Sequence, residues 1–247
     1  MNGLYKAQLA LLRNALNTSM KTLNPWRWFT RESITVEIEP PHITEDNAPL
    51  PSIVLIHGAN QSNVSFEYLR HALPGFQYIN IEWSAASGFH SNLTEMIAAL
   101  QNSGPVYLVG HSMGCIYAAH LSQRVECIGG AALSAPWGGS KAADWLRYMT
   151  PNYPLYKEVG TKSPIIIEGR QFKLPGEWIN YVSTAGDVPG MGEKNDCVLT
   201  IKSMTARTDI KNKFIKATHY EILMSTALIH SVGKNFLRAS EKHQNKA

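Results

Sequence analysis

The feature that most constrains this chain is the segment 105–120, an apolar run followed by a Gly-x-Ser-x-Gly motif and a stretch of small helix-forming residues. Residues 106–109 predict a short buried strand and residues 115–120 a helix, so Ser112 falls at the corner between them. Strained backbone at such a corner presents the serine hydroxyl outward, and the two flanking glycines leave room where strand and helix cross. The positive end of the helix would face negative charge on an attacked carbonyl. The segment therefore predicts a nucleophilic serine.

Gly110-His-Ser-Met-Gly114 in this context resembles the nucleophile elbow of the α/β-hydrolase family, in particular of its lipases and esterases. The resemblance implies an α/β-hydrolase fold: a mostly parallel central sheet with helices on both faces and a small cap insertion. It also implies that Ser112 is the nucleophile. The alternative is a serine that only caps a helix.

The chain length of 247 residues and the apolar content of 44% suit one large α/β domain. We predict an N-terminal helical extension over 1–30, an α/β-hydrolase domain over 31–239 with a candidate cap at 137–177, and a polar tail over 240–247. The helical spacing of leucines in the first segment favours a helix packed on the domain. Its aromatic and arginine residues at 24–29 leave a peripheral membrane contact as the alternative.

Strand-like and helix-like segments alternate along the chain, which predicts a parallel sheet with right-handed crossovers. Asn92 and Glu95 predict a capping box at the start of one helix. The loops that follow successive strands should converge at the carboxyl edge of the sheet, where ligands bind. The predicted strands cover residues 33–39, 51–56, 76–83, 106–109, 127–133, 178–184 and 213–218.

One of these loops begins with His57-Gly58-Ala59. In the hydrolases that this sequence resembles, a strand ending in His-Gly supplies an oxyanion donor from the backbone N–H just past the glycine. The resemblance therefore implies that the N–H groups of Ala59 and Met113 form an oxyanion hole. His57 itself we interpret as a structural histidine that braces the loop.

A serine hydroxyl needs a histidine base, which in this fold follows it in the chain. His219 is the best candidate, because it lies in a loop after the last predicted strand. His230 falls inside the terminal helix and His243 in the polar tail, where structural roles explain them better.

The carboxylate that orients the histidine has two candidates in the sequence. Asp187 directly ends a predicted strand, as the acid does in the simplest hydrolases, whereas Asp196 lies further along. The segment from Asn195 to Ser203 resembles the Asn-Asp-Gly-x-Val-x-x-x-Ser segment of lipases, in which the aspartate is the acid. This resemblance favours Asp196, with Asp187 shaping the loop. The sequence departs from the lipase pattern at Cys197, which replaces the usual glycine.

Residues 134–140, Ser-Ala-Pro-Trp-Gly-Gly-Ser, are similar to a segment of bacterial triacylglycerol lipases and related deacylases. The chain then leaves the regular alternation, at the place where the family carries its cap. An apolar cap would favour an acyl substrate, while ordinary packing of a surface excursion explains these residues equally well. The apolar residues of this stretch include Trp145, Leu146, Tyr148, Met149, Tyr153, Leu155 and Tyr156.

Charge and motifs argue against several other classes of protein. The net charge of +4 is too small and too scattered to indicate nucleic-acid binding. The sequence has no phosphate-loop or dinucleotide motif and no cysteine or histidine cluster with zinc spacing, so we expect no cofactor and no metal. Three cysteines in apolar or strand-like surroundings, without an export signal, predict reduced thiols and a cytoplasmic protein.

The sequence thus predicts a lipase-like or esterase-like serine hydrolase that cleaves carboxylic esters of apolar acyl groups through Ser112, His219 and Asp196. The partner is a small-molecule ester or lipid. Two alternatives remain: an acyltransferase, thioesterase or amidase that uses the same three residues, and a catalytically silent ligand-binding homologue. The sequence does not determine the oligomeric state.

Overall fold

A computed structural model of the chain describes residues 34–39, 50–188 and 191–246. The predicted N-terminal helical extension, and with it the alternative of a membrane contact there, lies outside the described residues.

The described strands form one seven-stranded sheet. The strands are β1 (Thr35–Glu39), β2 (Ser52–Ile56), β3 (Tyr78–Glu82), β4 (Val106–His111), β5 (Cys127–Leu133), β6 (Glu177–Ser183) and β7 (Lys211–Ile215). Their order in the sheet is β1-β3-β2-β4-β5-β6-β7, in which β1 is antiparallel to β3 and the other pairs are parallel. This arrangement confirms the predicted fold class.

Helices cover both faces of this sheet. The described α-helices are α1 (Glu67–Ala72), α2 (Phe89–Leu100), α3 (Met113–Leu121), α4 (Lys141–Met149), α5 (Pro154–Glu158), α6 (Pro164–Gln171), α7 (Ile201–Met204) and α8 (Thr226–Gln244), and short 3-10 helices span Asn63–Phe66 and Glu221–Met224. The helices α4, α5 and α6 occupy the segment that the sequence marks as a candidate cap. The predicted polar tail begins inside α8, because that helix continues to Gln244 and buries Ser240.

The burial of the strands explains why they read as continuous apolar runs. Every residue of β2 and β4 is buried, whereas β1 lies at the edge of the sheet and has no buried residue; the predicted alternation fails at Ile38, which is exposed. Along β2, Val54 belongs to the core on the face of the sheet that α3 covers, and Leu55 to the core on the face that α8 covers. A strand that is covered on both faces needs apolar residues at consecutive positions.

The predicted capping box is wrong. Helix α2 begins at Phe89, after Gly88, so Asn92 lies within the helix. Its side chain is buried, and its Nδ2 group donates to the Ser84 carbonyl at 2.8 Å and to the Tyr117 hydroxyl at 3.1 Å. Tertiary hydrogen bonds thus use the amide that the sequence pattern assigns to capping.

Candidate active site

Ser112 lies at the turn between β4 and α3, as predicted. Its backbone has φ 53° and ψ −123°, a left-handed region that non-glycine residues rarely adopt. The Ser112 N–H donates to the Leu133 carbonyl of β5 at 2.8 Å, which holds the turn on the sheet. The side chain is half-buried. Strain of this kind, fixed by the surrounding structure, is typical of functional positions.

The two glycines of the motif are required by close backbone contacts. A Cβ atom on Gly114 would lie 2.1 Å from the Ile56 carbonyl oxygen of β2, and one on Gly110 would lie 2.5 Å from the Gly114 oxygen. Backbone atoms cannot rotate away as a flexible side chain can. The helix can therefore approach the sheet this closely only with glycine at both positions.

The structure brings Asp196 and His219 together and leaves Asp187 apart. The His219 Nδ1 atom lies 2.7 Å from Asp196 Oδ2, and the His219 N–H donates to the Asp196 carbonyl oxygen at 2.8 Å. Both side chains are buried. Asp187 is exposed, and no contact joins it to His219 in the described part of the chain. The structure thus pairs His219 with Asp196 and not with Asp187, and the role of Asp196 as the acid stays a prediction.

The Asp196 carboxylate accepts hydrogen bonds at both of its oxygens. Oδ1 accepts the N–H groups of Val198 at 3.0 Å and Leu199 at 2.7 Å. Oδ2 accepts the Ser183 hydroxyl as well as His219. Burial alone would raise the pKa of this carboxyl, but the His219 interaction and the Ser183 and Leu199 hydrogen bonds lower the pKa below its usual value. The group is therefore held as an anion.

Ser183 is a residue that sequence reasoning missed. It ends β6, and its hydroxyl lies 2.7 Å from that of Ser134, which follows β5. The single hydrogen of Ser183 points to the carboxylate, so Ser134 is the donor in this contact. Its position offered a signal: Ser183 lies at the carboxyl end of β6, and polar residues at the carboxyl ends of parallel strands are where ligands bind. Ser134 follows the neighbouring strand β5 at the same edge of the sheet.

Cys197 occupies the position at which the sequence departs from the lipase pattern. Its φ angle is +81°, in the region that favours glycine, and its N–H donates to Asn195 Oδ1 at 3.0 Å. The turn that carries Asp196 therefore does demand a left-handed residue, and here a cysteine adopts that conformation. Its thiol is exposed.

The loop after β2 brings Ala59 beside Ser112. Ala59 and Met113 line the same cavity as Ser112 and His219. The loop is fixed by Asn60, at φ 58°, whose Oδ1 accepts the Tyr153 hydroxyl at 2.5 Å. The placement is compatible with the two predicted oxyanion donors, whose role stays a prediction.

His57 holds this loop through hydrogen bonds of its ring. The Trp83 N–H donates to His57 Nε2 at 3.1 Å, so the ring proton is on Nδ1 and donates to the Gly58 carbonyl at 2.7 Å. Complete burial lowers the pKa of His57 to about 4. His57 is thus neutral and structural, in agreement with its interpretation from sequence.

His111, inside the elbow motif, was not singled out by the sequence. Its Nδ1 lies 2.8 Å from Gln61 Oε1 and its Nε2 lies 2.8 Å from the His219 carbonyl oxygen. Gln61 Oε1 also accepts the Gly58 N–H at 2.8 Å. Burial is the main cause that lowers the pKa of His111 to about 3, and the nearby His219 is the second. The ring is therefore neutral and has one N–H group, which donates to one of the two oxygens at a time. The contacts link the loop after β2 to the loop of His219.

The cavity in front of Ser112 has a volume of about 220 Å³. The candidate cap contributes part of its apolar wall, which includes Leu146 of α4 and Leu155 and Tyr156 of α5. Trp145, Tyr148 and Met149 do not contribute, because they are exposed on the outside of α4. Only part of the apolar residues in this segment therefore shape the cavity.

Within the described ranges, no group of three or more histidine, cysteine, aspartate or glutamate side chains is arranged to hold a metal ion. The same part of the chain contains no helix with the length and hydrophobicity needed to cross a membrane.

Residues 53–199 match the family model described as "Alpha/beta hydrolase family". No curated protein sequence matches the chain. Among solved structures, the mature lipase BlEst2 of Bacillus licheniformis superposes with a TM-score of 0.58 at 17% identity, over 82% of this chain and 98% of that one. The Pyrococcus furiosus esterase Pf2001 gives a TM-score of 0.55 at 14% identity, over 79% of this chain and 84% of that one. An esterase of Thermogutta terrifontis gives a TM-score of 0.54 at 12% identity, over 84% of this chain and 94% of that one. At these identities the similarity concerns the fold.

Proposed function

The chain belongs to the alpha/beta hydrolase family, and on that premise we propose that it is a serine hydrolase that cleaves carboxylic esters. Ser112 is the nucleophile, His219 the general base and acid, and Asp196 the group that orients His219. The observation that carries this proposal is the buried Asp196–His219 pair, whose histidine lines the same cavity as the strained serine.

The pairing determines which nitrogen of His219 can act on Ser112. Because the ionised Asp196 accepts the Nδ1 proton, Nε2 has the free lone pair. Nε2 takes the Ser112 proton as Oγ attacks the ester carbonyl, and the N–H groups of Ala59 and Met113 stabilise the oxyanion. His219 then returns the proton to the leaving alkoxide as the carbon–oxygen bond breaks, which leaves an acyl-serine.

Water completes the cycle by the same route. His219 removes a proton from water, the hydroxide attacks the acyl carbonyl, and Ser112 regains its proton as the carboxylic acid leaves. The Asp196 carboxylate stabilises the imidazolium that forms in each half of the reaction.

The cavity wall supports an apolar acyl group as part of the substrate. Leu146, Leu155, Tyr156 and Val159 face the space beside Ser112. A volume of about 220 Å³ suits a short acyl chain better than a long one.

The test is hydrolysis of 4-nitrophenyl esters from acetate to palmitate by the wild type and by Ser112→Ala and His219→Ala. We expect turnover with an optimum at short or medium chains and loss of turnover in both variants. Labelling by a fluorophosphonate probe, abolished in Ser112→Ala, checks the nucleophile independently. Added alcohols, thioesters and amides distinguish the acyltransferase, thioesterase and amidase alternatives. A folded wild type that is inert towards every substrate and is not labelled contradicts the proposal and favours a silent binding protein.

A further inference from the structure

A second cavity, of about 420 Å³, adjoins the catalytic one. The two cavities share four lining residues: Ser140 and Ala142 at the start of α4, and Val198 and Leu199 after Asp196. The shared residues place the second cavity directly beside the one that contains Ser112. We call this second space the side cavity.

Positive charge predominates on the wall of the side cavity. Its charged lining residues are three cations, Lys141, Arg170 and Lys202, and one carboxylate, Glu193. They come from different parts of the chain: Arg170 from the end of α6, Lys141 from α4 and Lys202 from α7.

The single carboxylate of this lining pairs with one of the three cations. Glu193 Oε1 forms an ion pair with Lys141 Nζ at 2.8 Å. This hydrogen bond, with the charges of Lys141 and Lys202, lowers the pKa of Glu193 below its usual value, so the pair is ionic at neutral pH. Within residues 34–39, 50–188 and 191–246, neither Arg170 nor Lys202 forms an ion pair. Three cations and one carboxylate leave the described lining of the cavity with a net charge of +2.

Like charges that line a concave surface reinforce one another more than the same charges on a convex one. A cleft with low-dielectric walls focuses the field and raises the local concentration of ions of opposite charge. Gly138, Gly139 and Ala206 make part of this wall and contribute no side-chain charge. Arginine and lysine together favour a carboxylate or a phosphate group.

We propose that the side cavity binds the anionic end of the substrate, a carboxylate or phosphate group, while the ester bond lies at Ser112. The inference rests on the proposed ester hydrolysis and adds a substrate class to it: esters with a negatively charged group beyond the apolar part. Arg170 and Lys202 are the residues that determine this specificity.

The test compares anionic esters with neutral ones of the same length. The acyl-side pair is 4-nitrophenyl hydrogen adipate and its methyl ester. The alcohol-side compounds are the butyrate esters of 4-hydroxybenzoate and of 4-hydroxyphenyl phosphate. Their neutral partners are the methyl ester of the carboxylate and the dimethyl ester of the phosphate. The variants are Arg170→Gln/Lys202→Gln and a matched control, Arg124→Gln/Lys211→Gln, which removes two exposed cations at the opposite edge of the sheet.

For at least one anionic ester, we expect the wild type to show a lower KM than for the neutral partner, with an advantage that shrinks at high salt. Arg170→Gln/Lys202→Gln should raise that KM about tenfold, the effect of one lost charge-assisted hydrogen bond, and leave the kinetics of the neutral ester unchanged. The control should change neither. The pair that responds identifies the side of the ester and the anion. Equal use of anionic and neutral esters by the wild type overturns the inference while the proposed function stands.

Direct binding separates this inference from the failure of ester hydrolysis. Calorimetry with Ser112→Ala and the same anionic esters reports binding without turnover. If the wild type hydrolyses none of the esters, binding that is lost in Arg170→Gln/Lys202→Gln still supports the side cavity as an anion site. Absence of binding, or binding that the double substitution does not weaken, overturns it.

Discussion

Asp196 accepts two hydrogen bonds from His219, one from the ring through Oδ2 at 2.7 Å and one from the backbone N–H through its carbonyl oxygen at 2.8 Å. The residues are 23 positions apart in the chain. The backbone contact fixes the position of the histidine loop, and the side-chain contact fixes the orientation of the ring. The carboxylate and the imidazole are therefore held in place before any substrate binds.

Asp196→Asn should abolish most of the ester hydrolysis. The amide can still accept the N–H groups of Val198 and Leu199, but it cannot hold His219 in the required tautomer or stabilise its cation. We expect kcat to fall by about 10³-fold or more, with little change in KM. Steady-state kinetics with a 4-nitrophenyl ester measures this. The matched control is Asp187→Asn, which should stay within about twofold of the wild type. An inactive Asp187→Asn with an active Asp196→Asn would show that the acid is assigned to the wrong residue.

Ser183→Ala should weaken catalysis without removing any proposed catalytic group. The substitution deletes the hydroxyl that donates to Asp196 Oδ2. The loss of a hydrogen bond to a charged acceptor corresponds to about a 10- to 100-fold decrease in kcat. Ser183→Thr, which keeps a hydroxyl, should recover part of the rate. A Ser183→Ala variant as active as the wild type would assign Ser183 a packing role only.

Cys197→Gly should stabilise the fold. At φ +81° a residue with a Cβ atom destabilises the folded state by about 1 kcal/mol or more. Glycine removes this strain, and the extra conformational entropy that glycine loses on folding costs less than the strain. We expect the free energy of unfolding to rise by roughly 0.5 to 1 kcal/mol. Urea unfolding provides the measurement. Cys197→Ala is the control, because it removes the thiol but keeps the strain, and should give no increase. Equal stabilisation by both would attribute the effect to the thiol.

Stability should fall as the pH decreases from about 6.5 towards 4. The pKa of His57 is lowered from 6.5 to about 4 in the folded state, so in this range the unfolded chain binds a proton that the folded protein excludes. His57 alone should account for a loss of about 3 kcal/mol by pH 4. His111, with a pKa lowered to about 3, acts in the same direction down to a lower pH.

Urea unfolding at several pH values tests this linkage. His57→Gln should be less stable than the wild type at pH 7 and should show a flatter dependence on pH below 6.5. The control His230→Gln replaces an exposed histidine and should reproduce the wild-type slope. If the His57→Gln slope equals that of the wild type, the buried neutral ring is not the origin of the acid sensitivity.

The parts of the site that could be predicted from sequence are those that depend on neighbours in the chain. Ser112 follows from an apolar strand, two glycines and a helix in direct succession, and each feature has a local physical cause. His219 follows in the same way from its place after a strand, although β7 ends at Ile215 and the predicted strand extended to residue 218.

The parts that could not be predicted depend on contacts across the fold. His111 and His219 are 108 positions apart, and nothing local to either residue indicates their contact. Asp187 and Asp196 both follow β6, and strand position alone favours Asp187; the preference for Asp196 came from the resemblance to the lipase segment, and only the folded chain shows Asp196 buried and Asp187 exposed. Asn92 shows a different error, since its local pattern is typical of a helix start but its side chain forms tertiary hydrogen bonds inside the helix.

Helix α8 has a practical consequence for handling the protein. It starts soon after the His219 loop and ends near the opposite edge of the sheet, where His243 lies 3.7 Å from Glu126 and Lys242 lies 3.3 Å from Glu177, beside the first residues of β5 and β6. The catalytic cavity opens at the other edge. Immobilisation on a solid support through a tag placed after α8 would therefore orient the cavity towards the bulk solution, with unhindered access for dissolved esters.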